Sequence, residues 1–554
     1  MKRRRVAPIE PPDLAGGLWE LVIPLGVGAT IGAAAIVILR AAGLRFTWAL
    51  CGAPVAYLAW VVNWQIGLAC TTATVVASGA GLHWHQEDLK RGGEEAGRAR
   101  AAKGPLHAAR TWAAQRRLAE QGRVKPAERR RLGGEREARI ALGLERRGGV
   151  RHVPLGLGRG VHALVLGATG AGKTVTQAAI LQAHVLAGLG AIVIDPKGDR
   201  YLRGVLVDAA ERRGVAFREW SPTGAAVYNP FARGGPTEIT DKLLAGQRWS
   251  EPHYELATQR LLLHVLTTMR AADRWPPALS QIVHHMDPDR LDGLACEVGG
   301  DHAERVSSYV DGLSARGRAD LGGGRDRLAV LAEGELGPRL DPALGEGEQI
   351  DLAASLRDGA VVYFHLDADR YPAASKLLAA ALVIDLVTLA ADMQRADYGG
   401  IVAIDEFAAL AADQVSRLFG RARSAELSIL LGTQSLADLR AARPEEGSDT
   451  LTEQVLTNVA YLVVHREADP DSAERLAKVA GTQPSWSVTE KAGGRAEGWI
   501  AGREGTRTRE REFIVLPDQF KRLRTGEAVL LLPNAKTPGE VVRILAPQNQ
   551  GQRG

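Results

Sequence analysis

The 554-residue chain has only three cysteines, Cys51, Cys70 and Cys296. Their spacing matches no zinc-site pattern and two of them lie in apolar segments, so neither a disulfide framework nor a zinc site is predicted. Aromatic residues make up 5% of the chain, and the formal net charge is +5. The length, at roughly 100 to 200 residues per domain, predicts two or more folded units.

Charged residues are nearly absent from two long stretches near the start. Residues 18–39 contain one charge, Glu20 at the edge, and residues 46–84 contain no Asp, Glu, Lys or Arg. Each stretch is long enough to cross a hydrocarbon core of ~30 Å at ~1.5 Å per residue. A polar break at 63–65 leaves the second stretch as one long span or two short ones.

Basic residues flank these stretches. Lys2 to Arg5 precede the first stretch, and between His83 and His152 there are eighteen Lys or Arg against nine Asp or Glu. Because Lys and Arg favour the cytoplasmic side, two spans place both clusters inside, whereas three would place one outside. We therefore predict two spans within residues 1–85. The basic helical linker that follows, 86–150, suits either anionic lipid or DNA.

A phosphate-binding pattern lies in VHALVLGATGAGKTVTQAA, residues 161–179. Eight residues match G-x-x-x-x-G-K-[ST] between an apolar strand and a helix start: Gly167, Ala168, Thr169, Gly170, Ala171, Gly172, Lys173 and Thr174. Glycines let backbone N–H groups approach phosphate oxygens, Lys173 can reach the β- and γ-phosphates, and Thr174 can ligate Mg²⁺. The segment predicts a nucleoside triphosphate site.

Polar residues that a P-loop needs follow two further apolar strands. GGIVAIDEFAAL places Asp405 and Glu406 after one strand, and LSILLGTQS places Gln434 after another. We expect Asp405 to hold Mg²⁺ and Glu406 to polarise the attacking water as a general base. The amide of Gln434 is expected to contact the γ-phosphate and report its loss.

The order of these elements carries a family resemblance. AIVIDPKGD (191–199) and WSPTGAAVYNPF (220–231) follow the P-loop, and LPDQFKRLRTGEAVLLLPN (516–534) closes the series. From about residue 155 to 535 the chain resembles the type IV secretion coupling proteins, the TraG, TraD and VirD-type members of the FtsK/HerA superfamily. The resemblance implies an α/β fold: a RecA-like P-loop NTPase domain with an all-α insertion domain and an N-terminal transmembrane helical region.

The insertion is predicted from residues 236–350, where apolar residues recur at helical spacing: Leu256, Leu261, Leu262, Val265 and Leu266. It divides the NTPase domain into 151–235 and 351–545, followed by a disordered tail, 546–554. In the coupling-protein family such a domain caps the cytosolic face. The FtsK branch instead carries a C-terminal winged helix, for which the ten residues after Ile544 leave no room, so the coupling-protein branch is expected.

The resemblance also implies a homo-hexamer with an arginine supplied by the neighbouring subunit. Arg423, eleven residues before Gln434, matches the spacing of that arginine, and Arg421 is the second candidate. Asp195 and Lys197 match a family stretch to which we assign loop architecture. The arginine-rich segment 486–512 is predicted to be a mobile polar loop.

The function that follows from the resemblance is a DNA-translocating ATPase of the bacterial cell membrane, multi-pass, with its ATPase domain in the cytoplasm. ATP and Mg²⁺ are the expected cofactors. Single-stranded DNA with a bound relaxase and the secretion channel proteins are the expected partners. A double-stranded DNA translocase, a protein-export ATPase and a membrane scaffold without hydrolysis remain the alternatives.

Overall fold

The computed structural model describes residues 14–41, 52–90, 139–145, 149–156, 159–245, 247, 249, 251–393, 398–410, 412–442, 449–490, 505–532 and 538–547. The chain forms two compact units, one of residues 1–115 with 144–150 and the other of residues 116–143 with 151–554. Lys2 to Arg5, most of the basic linker and the last seven residues lie outside the described residues, and the domain boundaries stay predictions.

The described residues of the first unit form three apolar helices, Leu14–Ala41 (α1), Gly52–Val62 (α2) and Trp64–Lys90 (α3). By length and composition α1 and α3 each include a 20-residue stretch that can cross a membrane, whereas α2 has only 11 residues. Asn63 accounts for the break between α2 and α3, because its side-chain oxygen accepts the Gln65 N–H at 2.8 Å. The chain turns back there, and Trp60 Nε1 donates to Thr71 Oγ1 at 2.9 Å.

Helices α1 and α3 pack closely and run in the same direction. A Cβ on Gly28 would overlap the carbonyl oxygen of Ala69, and one on Gly32 would overlap that of Ala73. One turn further along both helices, Ile36 packs against Ala77. Because successive contacts lie further toward the C-terminus of both helices, α1 and α3 are parallel. The small residues Gly28 and Gly32, four positions apart on α1, allow the close approach of the two helices.

The second unit is built on an 11-stranded sheet with the order β2-β1-β13-β12-β9-β3-β8-β7-β4-β6-β5. Its strands are Arg139–Glu145 (β1), Val150–Pro154 (β2), His162–Leu166 (β3), Gly190–Asp195 (β4), Phe217–Trp220 (β5), Val361–His365 (β6), Gly400–Ile404 (β7), Leu427–Thr433 (β8), Tyr461–Val464 (β9), Glu527–Leu531 (β12) and Gly539–Ile544 (β13). The strands from β9 to β5 in this order are parallel, and β12 pairs antiparallel with both its neighbours. The predicted α/β class is confirmed.

Helices cover both faces of this sheet, which explains why its central strands are continuous apolar runs. They are Lys173–Leu186 (α4), Arg200–Arg213 (α5), Pro236–Leu244 (α6), Pro252–Ala271 (α7), Leu279–His285 (α8), Pro288–Val298 (α9), Gly300–Asp311 (α10), Ala315–Glu333 (α11), Gly337–Leu340 (α12), Leu352–Arg357 (α13), Pro372–Met393 (α14), Phe407–Leu410 (α15), Ala412–Ala422 (α16), Leu436–Ala442 (α17), Thr450–Asn458 (α18), Pro470–Ala480 (α19) and Pro517–Lys521 (α20). Helix α14 is long and apolar enough to span a membrane, but 67% of it is buried inside the protein. It is therefore a core helix.

The segment between β5 and β6 is helical, as predicted for the insertion. Helices α6 to α13 lie in it, the first seven of them between residues 236 and 340, and no strand lies within its described residues. Its first helix is tied to α14 by a buried ion pair, because Lys242 Nζ lies 2.8 Å from Asp385 Oδ1. Tyr228 donates its hydroxyl to the other oxygen of Asp385 at 2.8 Å. Burial lowers the pKa of Lys242, although the charge of Asp385 opposes that shift.

The prediction of a mobile loop over 486–512 is wrong at both ends of that segment. Strands Thr482–Glu490 (β10) and Gly505–Phe513 (β11) form a separate antiparallel two-stranded ribbon. Residues 491–504 lie outside the described part of the chain. Alternating Thr and Arg in GTRTREREF, a period of two, is the sequence signal for a strand that the loop prediction passed over.

Candidate nucleotide-binding site

The P-loop joins the carboxyl end of β3 to the first turn of α4. Gly170 and Gly172 have φ angles of +76° and +118°, which L-residues with a side chain rarely adopt. A Cβ on Gly170 would meet nothing within 4 Å, whereas one on Gly167 would lie 2.6 Å from the Cβ of His465. The turn therefore packs on the protein at one side and opens outward at the other, as a cradle for phosphate must.

His465 supports the P-loop from beneath, and the sequence analysis missed it. Its Nδ1 lies 3.0 Å from the carbonyl oxygen of Glu527, and its Nε2 lies 2.8 Å from Thr176 Oγ1. Burial lowers the pKa of His465 to about 4, so the ring is neutral at pH 7. Since a carbonyl only accepts, Nδ1 carries the proton and Nε2 accepts from Thr176. A polar residue directly after an apolar strand was the available signal.

The polar side chains predicted from three separate segments meet at the carboxyl edge of the sheet. Lys173 Nζ lies 3.0 Å from Asp405 Oδ1 and 2.8 Å from Glu406 Oε1. Gln434 Nε2 donates to the same Glu406 oxygen at 3.1 Å. These side chains lie close together because β3, β8 and β7 are adjacent parallel strands whose carboxyl ends lie at the same edge of the sheet.

Charge and burial oppose each other in this site. Burial disfavours the ammonium of Lys173, but the carboxylates of Asp405 and Glu406 outweigh it and raise its pKa. Burial likewise disfavours the carboxylate of Glu406, and Lys173 outweighs it and lowers that pKa. Both groups are therefore charged at neutral pH.

Glu406 has a strained backbone. Its φ of +48° lies in the left-handed region, which costs a non-glycine residue about 1–3 kcal/mol. Asp405, one position earlier, keeps an ordinary strand end, and its Oδ1 accepts from Gln177 Nε2 at 3.0 Å. The turn at Glu406 lets two successive residues direct their carboxylates to the same ammonium.

The oxygen ligands of the site suit a magnesium ion. Thr174 lies in the first turn of α4, next to Lys173, and Asp405 supplies a carboxylate; hydroxyl and carboxylate oxygens are ligands that Mg²⁺ accepts. Among the described residues no group of three His, Cys, Asp or Glu that could hold a metal is found. In nucleotide sites Mg²⁺ usually shares its coordination with phosphate and water.

The loop after β4 has a double role. Asp195 accepts the backbone N–H groups of Lys197 and Gly198 through Oδ1 and of Asp199 through Oδ2, at 2.7 to 3.0 Å. This is the loop architecture predicted for Asp195. The side chain of Lys197, 52% exposed, instead reaches the site, with Nζ 3.3 Å from Glu406 Oε1. The sequence analysis therefore missed a second ammonium beside Glu406.

Ser435, the residue after Gln434, makes two side-chain hydrogen bonds. Its Oγ lies 3.2 Å from Glu467 Oε1 and 3.3 Å from the Oγ of Ser472, which lies in the first turn of α19. Glu467 is buried, and burial raises its pKa. Ser435, next to Gln434, thus contacts the first turn of α19 through Ser472.

Arg423 and Arg421 lie away from these residues. The carbonyl oxygen of Arg423 accepts the Gly160 N–H at 3.3 Å, just before β3 begins, and its guanidinium donates to the Asn458 carbonyl at 3.3 Å. Both arginines are exposed. Because the five residues of β3 alone span about 16 Å at ~3.3 Å per residue, and Gly160 lies before them and the P-loop after them, Arg423 stands at the opposite edge of the sheet from Lys173.

Residues 401–525 match the family model described as the TraM recognition site of TraD and TraG. The fold is similar to that of the bacterial conjugative coupling protein TrwBdeltaN70 in its unbound monoclinic form, with a TM-score of 0.51 and 17% identity over 76% of this chain and 91% of that chain. The resemblance to the type IV coupling proteins is confirmed. No curated protein matches the chain.

Two further solved structures match with lower TM-scores. The plasmid coupling protein TrwB in complex with ADP and Mg²⁺ has a TM-score of 0.49 and 17% identity, covering 71% of this chain and 86% of that chain. VirB4 of Thermoanaerobacter pseudethanolicus has a TM-score of 0.46 and 16% identity, covering 73% of this chain and 96% of that chain.

Proposed function

We propose that the chain is a membrane-anchored ATPase motor of conjugative DNA transfer. It couples ATP hydrolysis to the passage of single-stranded DNA, with its bound relaxase, through a type IV secretion channel. The observation that carries this proposal is the meeting of Lys173, Glu406 and Gln434 at the carboxyl edge of a coupling-protein-like fold.

ATP is the substrate and Mg²⁺ the cofactor. The backbone N–H groups of residues 167–172 and the ammonium of Lys173 bind the β- and γ-phosphates, and Thr174 and Asp405 hold the metal. When bound there, Mg²⁺ would supply positive charge that offsets the negative charge developing during phosphoryl transfer. Glu406 takes a proton from the attacking water, and Gln434 senses the γ-phosphate.

Lys173 links substrate binding to the basicity of Glu406. Its ammonium lies against Glu406 Oε1 and lowers the pKa of that carboxyl. Phosphate oxygens compete for the same ammonium, and as Lys173 turns toward them the pKa of Glu406 rises. A carboxylate with a pKa closer to neutral is the better general base, so Glu406 becomes active when substrate is in place.

The arginine at the far edge supports assembly into a homo-hexamer. Arg423 is exposed and remote from the P-loop of its own chain, so it suits a role in trans on the γ-phosphate of the adjacent subunit. Arg421, at the end of α16, is the second candidate. The exposed apolar surfaces of α1 and α3 suit anchoring in the bacterial cell membrane, with the nucleotide unit in the cytoplasm, where ATP is available.

The test is ATP hydrolysis by the full-length protein in detergent, with single-stranded DNA, duplex DNA or no DNA, and with Lys173→Ala as the inactive control. Stimulation by single-stranded DNA is expected. Stimulation by duplex alone would favour a double-stranded DNA translocase, and hydrolysis indifferent to DNA would favour a protein-export ATPase. Absence of hydrolysis would favour the alternative of a membrane scaffold without ATPase activity. Each of these three outcomes overturns the proposal.

A further inference from the structure

Three charged or polar residues, His465, Arg466 and Glu467, follow the carboxyl end of β9. This strand pairs in parallel with β3, so the three residues lie beside the P-loop at the same edge of the sheet. His465 and Glu467 are buried, whereas Arg466 between them is exposed. Because His465 supports the P-loop from beneath, the segment reaches the phosphate cradle itself.

The backbone of Arg466 is fixed against the P-loop. Its carbonyl oxygen accepts the N–H of Ala168, the second residue of the loop, at 3.2 Å. The N–H of the next residue, Glu467, donates to the carbonyl oxygen of Phe520 at 3.2 Å. Among the described residues the guanidinium of Arg466 makes neither an ion pair nor a hydrogen bond. The backbone is therefore held while the side chain is available to a ligand.

The segment also connects the P-loop with the loop that carries Gln434. Glu467 Oε1 accepts from the hydroxyl of Ser435, the residue after Gln434, at 3.2 Å. Gln434 in turn donates to Glu406, the proposed general base, at 3.1 Å. Arg466 therefore lies between the P-loop and the two residues that are proposed to face the γ-phosphate and the attacking water.

The charge balance of the site calls for a further cation when a nucleotide binds. Lys173 lies against Asp405 and Glu406, and Lys197 also contacts Glu406. The two ammonium groups and the two carboxylates balance one another. Because ATP carries more negative charge than one Mg²⁺ neutralises, the phosphate tail needs positive charge from outside this group of four. The guanidinium of Arg466 can supply it.

The chemistry of an arginine fits a phosphate at this position. A guanidinium is charged at neutral pH, and its planar fork can donate two parallel N–H bonds to two phosphate oxygens. Since hydrogen bonds of residues 466 and 467 already fix the backbone, binding orders only the side chain of Arg466. Less conformational entropy is then lost than if a mobile loop had to be ordered as well.

We propose that the guanidinium of Arg466 binds the γ-phosphate of the nucleotide that is held by the P-loop of its own subunit. Arg466 thereby differs from Arg423, which is proposed to serve the adjacent subunit. This inference rests on the proposed ATPase function and adds a phosphate-binding residue to its site.

The experiment measures binding of a fluorescent, non-hydrolysable ATP analogue and of fluorescent ADP to the full-length protein in detergent with Mg²⁺. Arg466→Gln should weaken the triphosphate by about 10- to 100-fold, as expected for loss of a hydrogen bond between charged groups, and should change ADP affinity little. Arg466→Lys keeps the charge without the planar fork, so its affinity should lie between those of the parent and Arg466→Gln. Equal losses for ADP and the triphosphate would overturn the contact with the γ-phosphate.

The matched control is Arg522→Gln, which removes the same charge from an exposed arginine just after α20. The guanidinium of Arg522 lies 3.8 Å from Asp518, and we expect parental affinity for both nucleotides. Equal losses in Arg522→Gln and Arg466→Gln would show a general electrostatic effect and would overturn the assignment. A lowered thermal unfolding midpoint in Arg466→Gln, with the parental preference for triphosphate over ADP, would restrict Arg466 to support of the P-loop and overturn it too.

Mixed rings identify the subunit that Arg466 serves. Lys173→Ala disables the nucleotide site of its own subunit, and the proposal places the defect of Arg466→Gln in the same site. Rings assembled from equal amounts of the two variants should therefore hydrolyse ATP no faster than either variant alone. Recovery of hydrolysis, in rings verified by pull-down of two differently tagged subunits, would place Arg466 in trans and overturn the assignment to its own subunit.

Nucleotide binding without DNA separates this inference from the proposed motor function. If Arg466→Gln loses the parental preference for the triphosphate but DNA does not stimulate the parent, the phosphate contact stands and the motor function fails. If single-stranded DNA stimulates the parent and Arg466→Gln keeps the parental preference for the triphosphate, the motor function stands and the inference about Arg466 fails.

Discussion

The ammonium of Lys173 lies 2.8 Å from Glu406 Oε1, with the two side chains only 10% and 15% exposed. In this low-exposure site each group is the counter-ion of the other: the pKa of Lys173 is raised despite burial and that of Glu406 is lowered despite burial. The proposed general base is thus kept charged, and weak, by the residue that is proposed to bind phosphate.

Replacing Glu406 by Gln should slow hydrolysis strongly and leave substrate bound. The amide cannot take a proton from water, while Thr174 and Asp405 still hold the metal, so kcat should fall by about 10²- to 10⁴-fold with ATP affinity retained. Glu406→Gln also keeps the strained φ, which a glycine would relieve. Single-turnover hydrolysis together with binding of a fluorescent ATP analogue measures both effects. Parental turnover would place the base elsewhere.

Lys197 should affect catalysis and not only loop structure. Lys197→Ala removes an ammonium 3.3 Å from Glu406 Oε1 but keeps the backbone N–H that Asp195 accepts. We expect kcat to fall on the order of tenfold, the loss of ~1.4 kcal/mol, with the thermal unfolding midpoint little changed. Asp195→Asn is the control for the loop and should lower the midpoint. A lowered midpoint with parental kcat in Lys197→Ala would restrict Lys197 to loop architecture.

Arg423 should act on the neighbouring subunit. Because it stands at the opposite edge of the sheet from its own P-loop, Arg423→Ala should bind ATP normally and lose hydrolysis in the assembled ring, by up to about 10³- to 10⁵-fold. Lys173→Ala instead disables the nucleotide site of the subunit that carries the substitution. Equal amounts of the two inactive variants, co-assembled with single-stranded DNA, should recover part of the activity.

Arg421→Ala provides the comparison for that experiment. If it complements Lys173→Ala and Arg423→Ala does not, the trans arginine is Arg421. Mixed rings must be verified by pull-down of two differently tagged subunits, since separate rings would give no recovery in either mixture.

Three buried histidines should make the second unit sensitive to acid. Burial lowers the pKa of His162, His184 and His465 to about 4 each, against about 6.5 in an unfolded chain. The unfolded state therefore binds protons more tightly, and the free energy of unfolding should fall as pH drops from 6.5 toward 4. Each histidine contributes up to ~1.4 kcal/mol per pH unit.

A conservative variant isolates one of these histidines. The ring of His162 packs on Phe419 with centroids 5.2 Å apart, so His162→Phe preserves an aromatic ring and removes a titrating group. Guanidinium unfolding of the full chain in detergent at pH 7, 6 and 5 should show a shallower pH dependence than the parent. An identical dependence would mean that His162 does not contribute.

The parallel packing of α1 and α3 bears on the number of spans. Two parallel helices of one chain can both cross a membrane only if the connection between them crosses back, and α2 is the apolar helix in that connection. Three crossings would place Val6 and the nucleotide unit on opposite sides, whereas the two spans preferred from charge place them on the same side. At ~1.5 Å per residue the 11 residues of α2 cover only about 16 Å, less than a hydrocarbon core of ~30 Å, so the two spans preferred from charge stay the prediction.

Cysteine labelling distinguishes the two arrangements. With two spans, Val6→Cys and Gly551→Cys should both react with a membrane-impermeant maleimide only after spheroplasts are lysed, whereas reaction of Val6→Cys on intact spheroplasts would indicate three. Protection of both positions before lysis would support two spans. The native cysteines 51 and 70 lie in apolar segments, and a parent sample measures their background.

The P-loop, the carboxylates and the glutamine were predictable because each signal is local. An apolar strand followed by Gly167 to Thr174, by Asp405-Glu406 or by Gln434 is read from a few adjacent residues. Parallel strands then bring their carboxyl ends to one edge, so the meeting of these side chains follows from fold class alone. The apolar length of α1 and α3 is likewise a local property.

Only the tertiary structure decided the remaining features, because each depends on residues far apart in the chain. The contact of Lys197 with Glu406 joins positions 209 residues apart, and that of His465 with Thr176 joins positions 289 apart. The length and composition of α14 also fit a membrane span, and only its burial by the rest of the protein identifies it as a core helix. The ribbon of β10 and β11 likewise forms only through the pairing of residues 482–490 with residues 505–513.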